Sequence, residues 1–430
     1  MKKRIAVLLM GLTILSFSGC NNSSAPSTAP ETVATQSAEA NTDEATAEEV
    51  TEEQTAEDNK DKEESKETSE ESKEESSAPA EEEDPLQGAI IQDLFAQHGM
   101  KAGTCLNPSM LKNTKFCNLI TTQFNSVTCE NAMKPDYLFD KKKSKEEGRL
   151  VVEFDKDALT MMQWAKDNGL SMRGHTLVWY SQTPDWIFHE DFDTKKDLVS
   201  RDVMLERMDS FIQQVFAKLD ELGYTDIFYA YDIVNEAWME DGTMRQNRYT
   251  EIIGDDYLWQ AFNIANKYAP ESIDLYYNDY NEQFKTQTLV DFVETLKDEN
   301  GNYLIDGIGL QAHLYTSDDL EDYLACVETL GATGLKVQLT ELDVCLGAYL
   351  NYLEATDDNL KEQGRYYYDL INGLFELKDA GKVNLDALTF WGFYDSMSWR
   401  KEASPLLFDQ KFQPKYAFFG AAQMKEQAGY

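Results

Sequence analysis

An α/β chain folded as a closed (β/α)8 barrel, carried behind an export leader and an acidic linker, is the architecture that the sequence predicts. Three observations lead to it. From about residue 86 onward, eight strand-like runs alternate with helix-like ones. Most of those strand-like runs end on a polar or aromatic side chain. Residues 21–85, by contrast, contain no aromatic residue and no Leu, Ile or Met, too little apolar surface to offset chain entropy.

Residues 1–20 read as a lipoprotein signal peptide. Lys2, Lys3 and Arg4 make a charged start, Ile5–Phe17 an apolar core short for a bilayer span, and Ser18-Gly19-Cys20 a small-residue ending. That ending resembles a bacterial lipobox, with Phe17 where the pattern prefers Leu, and the resemblance implies a lipid on Cys20. An ordinary cleaved signal with an incidental cysteine is the competing reading. Residues 21–85 follow as a disordered acidic Ser/Thr/Glu-rich tether: 22 acidic side chains against 4 basic ones make it self-repelling and extended. The expected product is an exported bacterial lipoprotein, at the cell surface or otherwise membrane-anchored outside the cytoplasm, touching the membrane only through its N-terminal lipid.

Residues 86–430 are expected to form the catalytic barrel. They still hold −24 of the total charge of −39, which argues against nucleic acid or an anionic lipid surface as a partner. Cys105, Cys117, Cys129, Cys326 and Cys345 are odd in number and lack paired short spacings, so small buried hydrophobes fit them better than a disulfide framework or a zinc site.

The predicted strands are Ala102–Leu106, Ser126–Glu130, Ser171–Val178, Phe228–Asn235, Ile273–Asn278, Gly307–His313, Lys336–Asp343 and Ala387–Phe393. The clearest helix is Arg201–Leu222, where Leu205, Met208, Ile212, Val215, Leu219 and Leu222 recur at spacings of three and four. Ser200 is placed to cap it and Gly223 to end it. Eight strand–helix repeats over this length fit a barrel whose active-site groups gather at the carboxyl ends of the strands.

Two runs carry chemistry. YAYDIVNEAW at 229–238 closes on Asn235-Glu236, and VQLTELD at 337–343 holds Glu341 and Asp343. A carboxylate at the end of a buried strand is costly unless it works or is paired, and two of them suggest the acid pair that hydrolyses a glycosidic bond. Side chains at i and i+2 share a strand face, so Gln311 and His313 are paired in this way, as are Glu341 and Asp343. If the strands are neighbours, Asp343 orients the His313 imidazole, which donates to Glu341 and keeps it ionised. A satisfied core histidine is the bland alternative for His313 taken alone.

Ordered runs across most of residues 86–420 make the chain resemble glycoside hydrolase family 10, the retaining endo-β-1,4-xylanases. They are FNSVTCENAMKP (124–135), RGHTLVW (173–179), YDIVNE (231–236), YYNDYN (276–281), GIGLQAH (307–313), LTELD (339–343), WGFYDSMSWR (391–400) and PLLFD (405–409). The resemblance implies a TIM barrel that needs no metal or cofactor and takes xylan and xylo-oligosaccharides. It implies Glu236 as general acid/base and Glu341 as nucleophile, ~5–5.5 Å apart. Glu236 would start protonated, raised by burial and by the charge of Glu341, and would turn base once Glu341 is glycosylated.

The same resemblance implies that Asn235 meets the 2-hydroxyl of the reacting sugar, with His313 and Asp343 in support. Glu130, Asn131, Lys134, His175 and Gln311 would bind sugar, the first four on the glycone side. Trp179, Trp391 and Trp399 would wall that subsite. Gln182 and Trp399 would crowd a hydroxymethyl group and so favour xylose over glucose. Tyr280, with Asn278, would lie towards the aglycone. Two departures stand out: Tyr180 where the family has His, and Cys129 where it has Pro. A monomer is expected. A β-1,4-glucanase or mixed-specificity enzyme is the runner-up. A non-catalytic glycan-binding lipoprotein would be expected to have lost a catalytic glutamate, and a metallohydrolase lacks any close pair of histidines.

Overall fold

The structure, a computed structural model, describes residues 84–430. The leader 1–20, Cys20 and nearly all of the tether 21–85 lie outside the described residues.

Eight parallel strands close on themselves. They are β1 (Lys101–Leu106), β2 (Ser126–Cys129), β3 (Ser171–Gly174), β4 (Phe228–Asn235), β5 (Asp274–Asp279), β6 (Gly307–Leu310), β7 (Lys336–Cys345) and β8 (Asn384–Phe390). Each pairs with its sequence neighbour, and β8 pairs with both β7 and β1, which leaves no edge in the ring. A helix follows every strand: α1 (Thr114–Gln123), α2 (Lys156–Asp167), α3 (Arg201–Glu221), α4 (Tyr257–Tyr268), α5 (Thr286–Thr295), α6 (Leu320–Gly331), α7 (Asp357–Asp379) and the short α8 (Tyr416–Ala421). This is the predicted (β/α)8 barrel. Side chains at the helix starts satisfy free N–H groups: Ser200 accepts from Val203 at α3, Asp155 from Ala158 at α2 and Thr356 from Asn359 at α7.

Alternation along β4 sorts the two faces. Tyr231 points outward, its ring 5.6 Å from that of Phe216 on α3. Asp232 points inward and makes a bidentate ion pair with Arg173 of β3. Arg173 also donates from Nε to Gln338 Oε1 at 3.0 Å, and Gln338 donates to the Tyr276 hydroxyl at 2.9 Å. The barrel interior thus holds a polar layer whose members satisfy one another, while apolar packing lies between strands and helices. Gly309 on β6 makes room for it, since a Cβ there would sit 2.5 Å from Asn278 Oδ1 and 3.0 Å from Arg173 Nη2.

Three strands are shorter than predicted, β3 and β6 by the most. β3 stops at Gly174, where the chain folds around Asp232. His175 Nδ1 lies 2.9 Å from its carboxylate, and Thr176 Oγ1 and the Leu177 N–H both donate to its carbonyl. The strand resumes only as Val178–Trp179, paired with Val234 and Asn235. β6 stops at Leu310, because Ala312 turns into the left-handed region at φ 59°. The segment His313–Tyr315 then pairs with Asp343–Cys345 on β7. Period-two alternation reads neither break, because the residues on both sides are strand-like. At the other ends, β2 closes at Cys129, one residue before Glu130, and β8 spans Asn384–Phe390, earlier than predicted. Four of the five described cysteines are buried and all five are unpaired.

Asp232 is the keystone of the interior layer, so Asp232→Ala should cost about 3–5 kcal/mol by leaving the buried Arg173 charge without its partner. Urea unfolding of purified protein checks this, and a loss below about 1 kcal/mol would contradict it.

Candidate active site

The carboxyl ends of β4 and β7 bring the two glutamates to one mouth of the barrel. Glu236 leaves β4 with φ 56° and is held on three sides. Its N–H donates to the Asn278 carbonyl at 2.9 Å, and its own carbonyl accepts from Arg245 Nε at 3.0 Å. Its Oε1 accepts from Asn235 Nδ2 and from Gln311 Nε2, each at 2.9 Å. Burial pushes the Glu236 carboxyl above its ordinary range, and the negative charges of Asp279 and Glu341 push the same way, against the Gln311 hydrogen bond.

Glu341 sits in the opposite environment. Asn278 Nδ2 donates to its Oε1 at 2.8 Å, His313 Nε2 lies 3.3 Å from its Oε2, and His175 Nε2 lies 4.0 Å from Oε1. Burial alone would raise its pKa, but His175, His313 and Lys134 overcome that and hold it at about 2. The His313 ring is anchored from behind by Asp343, 3.0 Å from Nδ1. Burial works against its charge, yet Asp343 and Glu341 raise it to about 10, so the protonated ring donates to both carboxylates. Asp343 is itself paired with Arg400.

Two amides join the acids. Asn278 Nδ2 reaches both Glu341 and Asn235 Oδ1, the latter at 3.0 Å, and Asn235 Nδ2 reaches Glu236. Two buried carboxyl groups, one biased neutral and one ionised, thus face one opening through a shared hydrogen-bonded bridge. Such a pair can donate a proton to one atom while attacking its neighbour.

A family model described as Glycosyl hydrolase family 10 matches residues 90–424. The chain belongs to glycosyl hydrolase family 10. Endo-1,4-beta-xylanase B of Butyrivibrio fibrisolvens is 34% identical over 333 residues, covering 74% of this chain and 51% of that one. The chain spans about half or less of the length of that relative and of several others it matches. Among solved structures, the N-terminal endo-1,4-beta-D-xylanase 10B of Clostridium thermocellum, complexed with xylohexaose, is 30% identical with a TM-score of 0.71, covering 80% of this chain and 69% of that one. The intracellular xylanase of Thermoanaerobacterium saccharolyticum is 33% identical with a TM-score of 0.67, covering 77% and 98%.

The other residues singled out for this family 10 chain gather at the same mouth. Lys134 Nζ donates to Asn131 Oδ1 and Gln182 Oε1, both at 2.9 Å, and lies 5.1 Å from the Trp179 ring centre. Burial raises the pKa of Glu130, which faces Lys134 and accepts from Asn107. The Trp391 ring meets His175 edge-on at 5.4 Å, and Trp399 meets His313 at 5.2 Å. Trp391 is buried, whereas Trp399 is 64% exposed. Tyr280 accepts from Arg245 Nη2 at 2.8 Å. Tyr180, the phenol in the place of an imidazole, has Arg245 at 4.4 Å from its ring centre and hydrogen-bonds Glu236.

Two expectations need correction. Asn278 does not lie out beside Tyr280; it is fully buried and grips Glu341 from below. Gln311 and His313 do not share a strand face, since the kink at Ala312 sends Gln311 to Glu236 and His313 to Glu341. Sequence reasoning also passed over Asp232, Arg245, Arg400 and Glu282. Asp232 had a legible signal, a charge inside the apolar run YDIVNE. Glu282 had none. It is buried on the loop after β5, accepts from the Ala312 N–H at 3.3 Å and is raised by burial to about 7.

Asp343→Asn should lower the His313 pKa, because it removes the largest influence holding that ring protonated. Glu341 then loses a positive neighbour and its own pKa rises. The acidic limb of the kcat/KM profile, where it follows protonation of Glu341, should move to higher pH by about one unit or more. A profile with an unmoved acidic limb would contradict the arrangement.

Proposed function

We propose that the chain is an endo-1,4-β-xylanase that cleaves internal bonds of xylan with retention, by double displacement. The observation that carries this is the opposite bias of two carboxyl groups at one site: Glu236 raised by burial, Glu341 held at about 2 by its neighbours. Glu341 attacks the anomeric carbon as Glu236 protonates the departing glycosidic oxygen. The glycosyl–Glu341 ester has no negative charge, so the repulsion that favoured the protonated Glu236 falls away. Glu236, now ionised, takes a proton from water, which attacks the anomeric carbon, frees Glu341 and regenerates the acid. Asn235 bonds Glu236 directly and is joined to Glu341 through Asn278, and in this reading it meets the sugar 2-hydroxyl. Gln182, clasped by Lys134 beside Asn131, gives the glycone side a fixed polar wall suited to a sugar without a hydroxymethyl arm. The protein then works on xylan and xylo-oligosaccharides as a monomer.

Glu236→Ala should slow xylan hydrolysis by roughly 10²–10⁴-fold while still attacking aryl xylobiosides whose leaving group needs no proton. Azide should rescue that variant with retained configuration, through the glycosyl–Glu341 intermediate. Glu341→Ala should lose both substrates, and any azide product should be inverted. Equal losses on every substrate, or retained product from Glu341→Ala, would contradict these roles. Xylan and cellulose assayed side by side separate this reading from a mixed glucanase.

We infer further that Cys20 carries lipid and that residues 21–85 tether the catalytic barrel outside the cytoplasm. The support is the charged start, short apolar core and Ser-Gly-Cys ending of residues 1–20, with the uniform acidity of the segment after it. Among the described residues no helix is long and apolar enough to cross a membrane. Mass spectrometry of the mature protein should find a diacylglyceryl thioether at Cys20; an unmodified N-terminus beyond that residue would contradict the anchor.

A further inference from the structure

The loop after β7 leaves the active site as a hairpin. Gly347–Ala348 pairs antiparallel with Asn351–Tyr352, and Leu350 at its tip is left-handed at φ 58°. Tyr349 and Leu350 are 72% and 79% exposed, the most exposed large hydrophobic side chains among the described residues. Packing within the barrel does not call for them there. A tight turn is more cheaply made from Gly, Asn and Asp.

The hairpin is joined to the catalytic groups ring by ring. His313, which holds Glu341, meets Trp399 edge-on. The Arg400 guanidinium lies 5.7 Å from the Trp399 ring centre and 4.4 Å from that of Tyr315. Tyr315 is stacked nearly parallel to Tyr352, with centres 6.5 Å apart and planes 13° apart, and meets Tyr349 edge-on at 6.3 Å. A row of aromatic rings, bridged by the buried Arg400 and half-buried at Tyr315, therefore runs from His313 out to the exposed hairpin tip. Tyr352 keeps part of its surface open while resting against Tyr315. Tyrosine holds a rigid, amphipathic ring that loses little rotamer freedom on binding. Pyranose rings offer flat C–H faces to such rings and keep their hydroxyl rims in water.

We propose that Tyr315, Tyr352 and Tyr349, continuing outward from Trp399 at the edge of the pocket, form a polysaccharide-binding surface for pyranose units of the substrate chain lying outside the catalytic pocket. The inference rests on the xylan reading above and extends it from the reacting sugars to the polymer. Continuity with the site selects a sugar chain as occupant over a second protein copy or a lipid surface. A substrate chain bound there would hold the protein on the polymer while its neighbouring units occupy the cleft.

The test compares the full chain with the Tyr349→Ala/Tyr352→Ala double variant. Neither residue touches the catalytic glutamates, so cleavage of an aryl xylobioside, which fills only the pocket, should stay within about twofold and doubles as the folding control. Adsorption to insoluble xylan in the cold should weaken roughly tenfold, and hydrolysis of insoluble xylan should slow by roughly three- to tenfold. Equal adsorption and equal polymer hydrolysis would overturn the proposal. So would a variant that differs only in sedimenting as a smaller species, marking a subunit interface, or only in losing adsorption to phosphatidylglycerol vesicles, marking a lipid-facing surface. A parent protein that adsorbs to xylan through these tyrosines but cleaves no xyloside would sink the xylanase reading and leave the binding surface standing.

Discussion

Two carboxyl groups buried in one cleft must differ in charge, and that requirement organises the whole mouth of this barrel. Left alone, like neighbours in a low-dielectric site would share a proton without preference. Here the surroundings break the tie. His313, His175 and Lys134 converge on Glu341, and each lowers its pKa. Glu236 receives neutral amides from Asn235 and Gln311. The amide of Asn278, reaching Asn235 and Glu341 together, fixes the spacing between the two environments. Every strand from β4 to β7 contributes to this arrangement, so the active site tests the register of half the barrel.

That register depends in turn on the layer below. Arg173, Asp232, Gln338 and Tyr276 bring charge into a space most proteins fill with hydrocarbon. The ion pair is weak grounds for stability in itself, because desolvation offsets most of its attraction. Its directional bonds do something packing cannot. Asp232 holds Arg173 with its carboxylate, orients His175 with the same group, and turns the chain after β3 with its carbonyl. One residue thereby couples barrel closure to the electrostatics around Glu341. Glu282 plays a comparable part across the ring, gripping the N–H of Ala312 at the kink that divides Gln311 from His313.

Sequence carried the eight strands, the helical order and both glutamates, because these follow from periodicity and from charges set at the ends of apolar runs. The contact of His313 with Glu341 and Asp343 was legible for the same reason: spacing of two on one strand fixes a face. The breaks after Gly174 and Leu310 were not legible, since they arise from side chains distant in sequence that capture backbone groups. The role of Asn278 was missed on similar grounds. An amide at a strand end reads equally as a sugar ligand or as a clamp, and only the neighbouring strand's register decides between them. The row of tyrosines was invisible too, for its parts come from two separate segments, the one after β6 and the hairpin after β7.

The substitution at Tyr180 shows how local chemistry can drift while the frame holds. An imidazole at that position could titrate near neutral pH and alter the field at the acid/base as it did so. The phenol cannot: burial and the proximity of Glu236 push its pKa further up, and it stays neutral wherever the enzyme works. It can donate a hydrogen bond to Glu236 but cannot add a charge. Positive potential beside the acid/base falls instead to Arg245, which lies against the Tyr180 ring, bonds Tyr280 and grips the Glu236 carbonyl. Tyr180 stays neutral and Arg245 stays charged, so neither adds a titration to that of Glu236. The basic limb of activity should then reflect Glu236 itself, with its position set by burial and the charges of Asp279 and Glu341 on one side and the Gln311 hydrogen bond on the other.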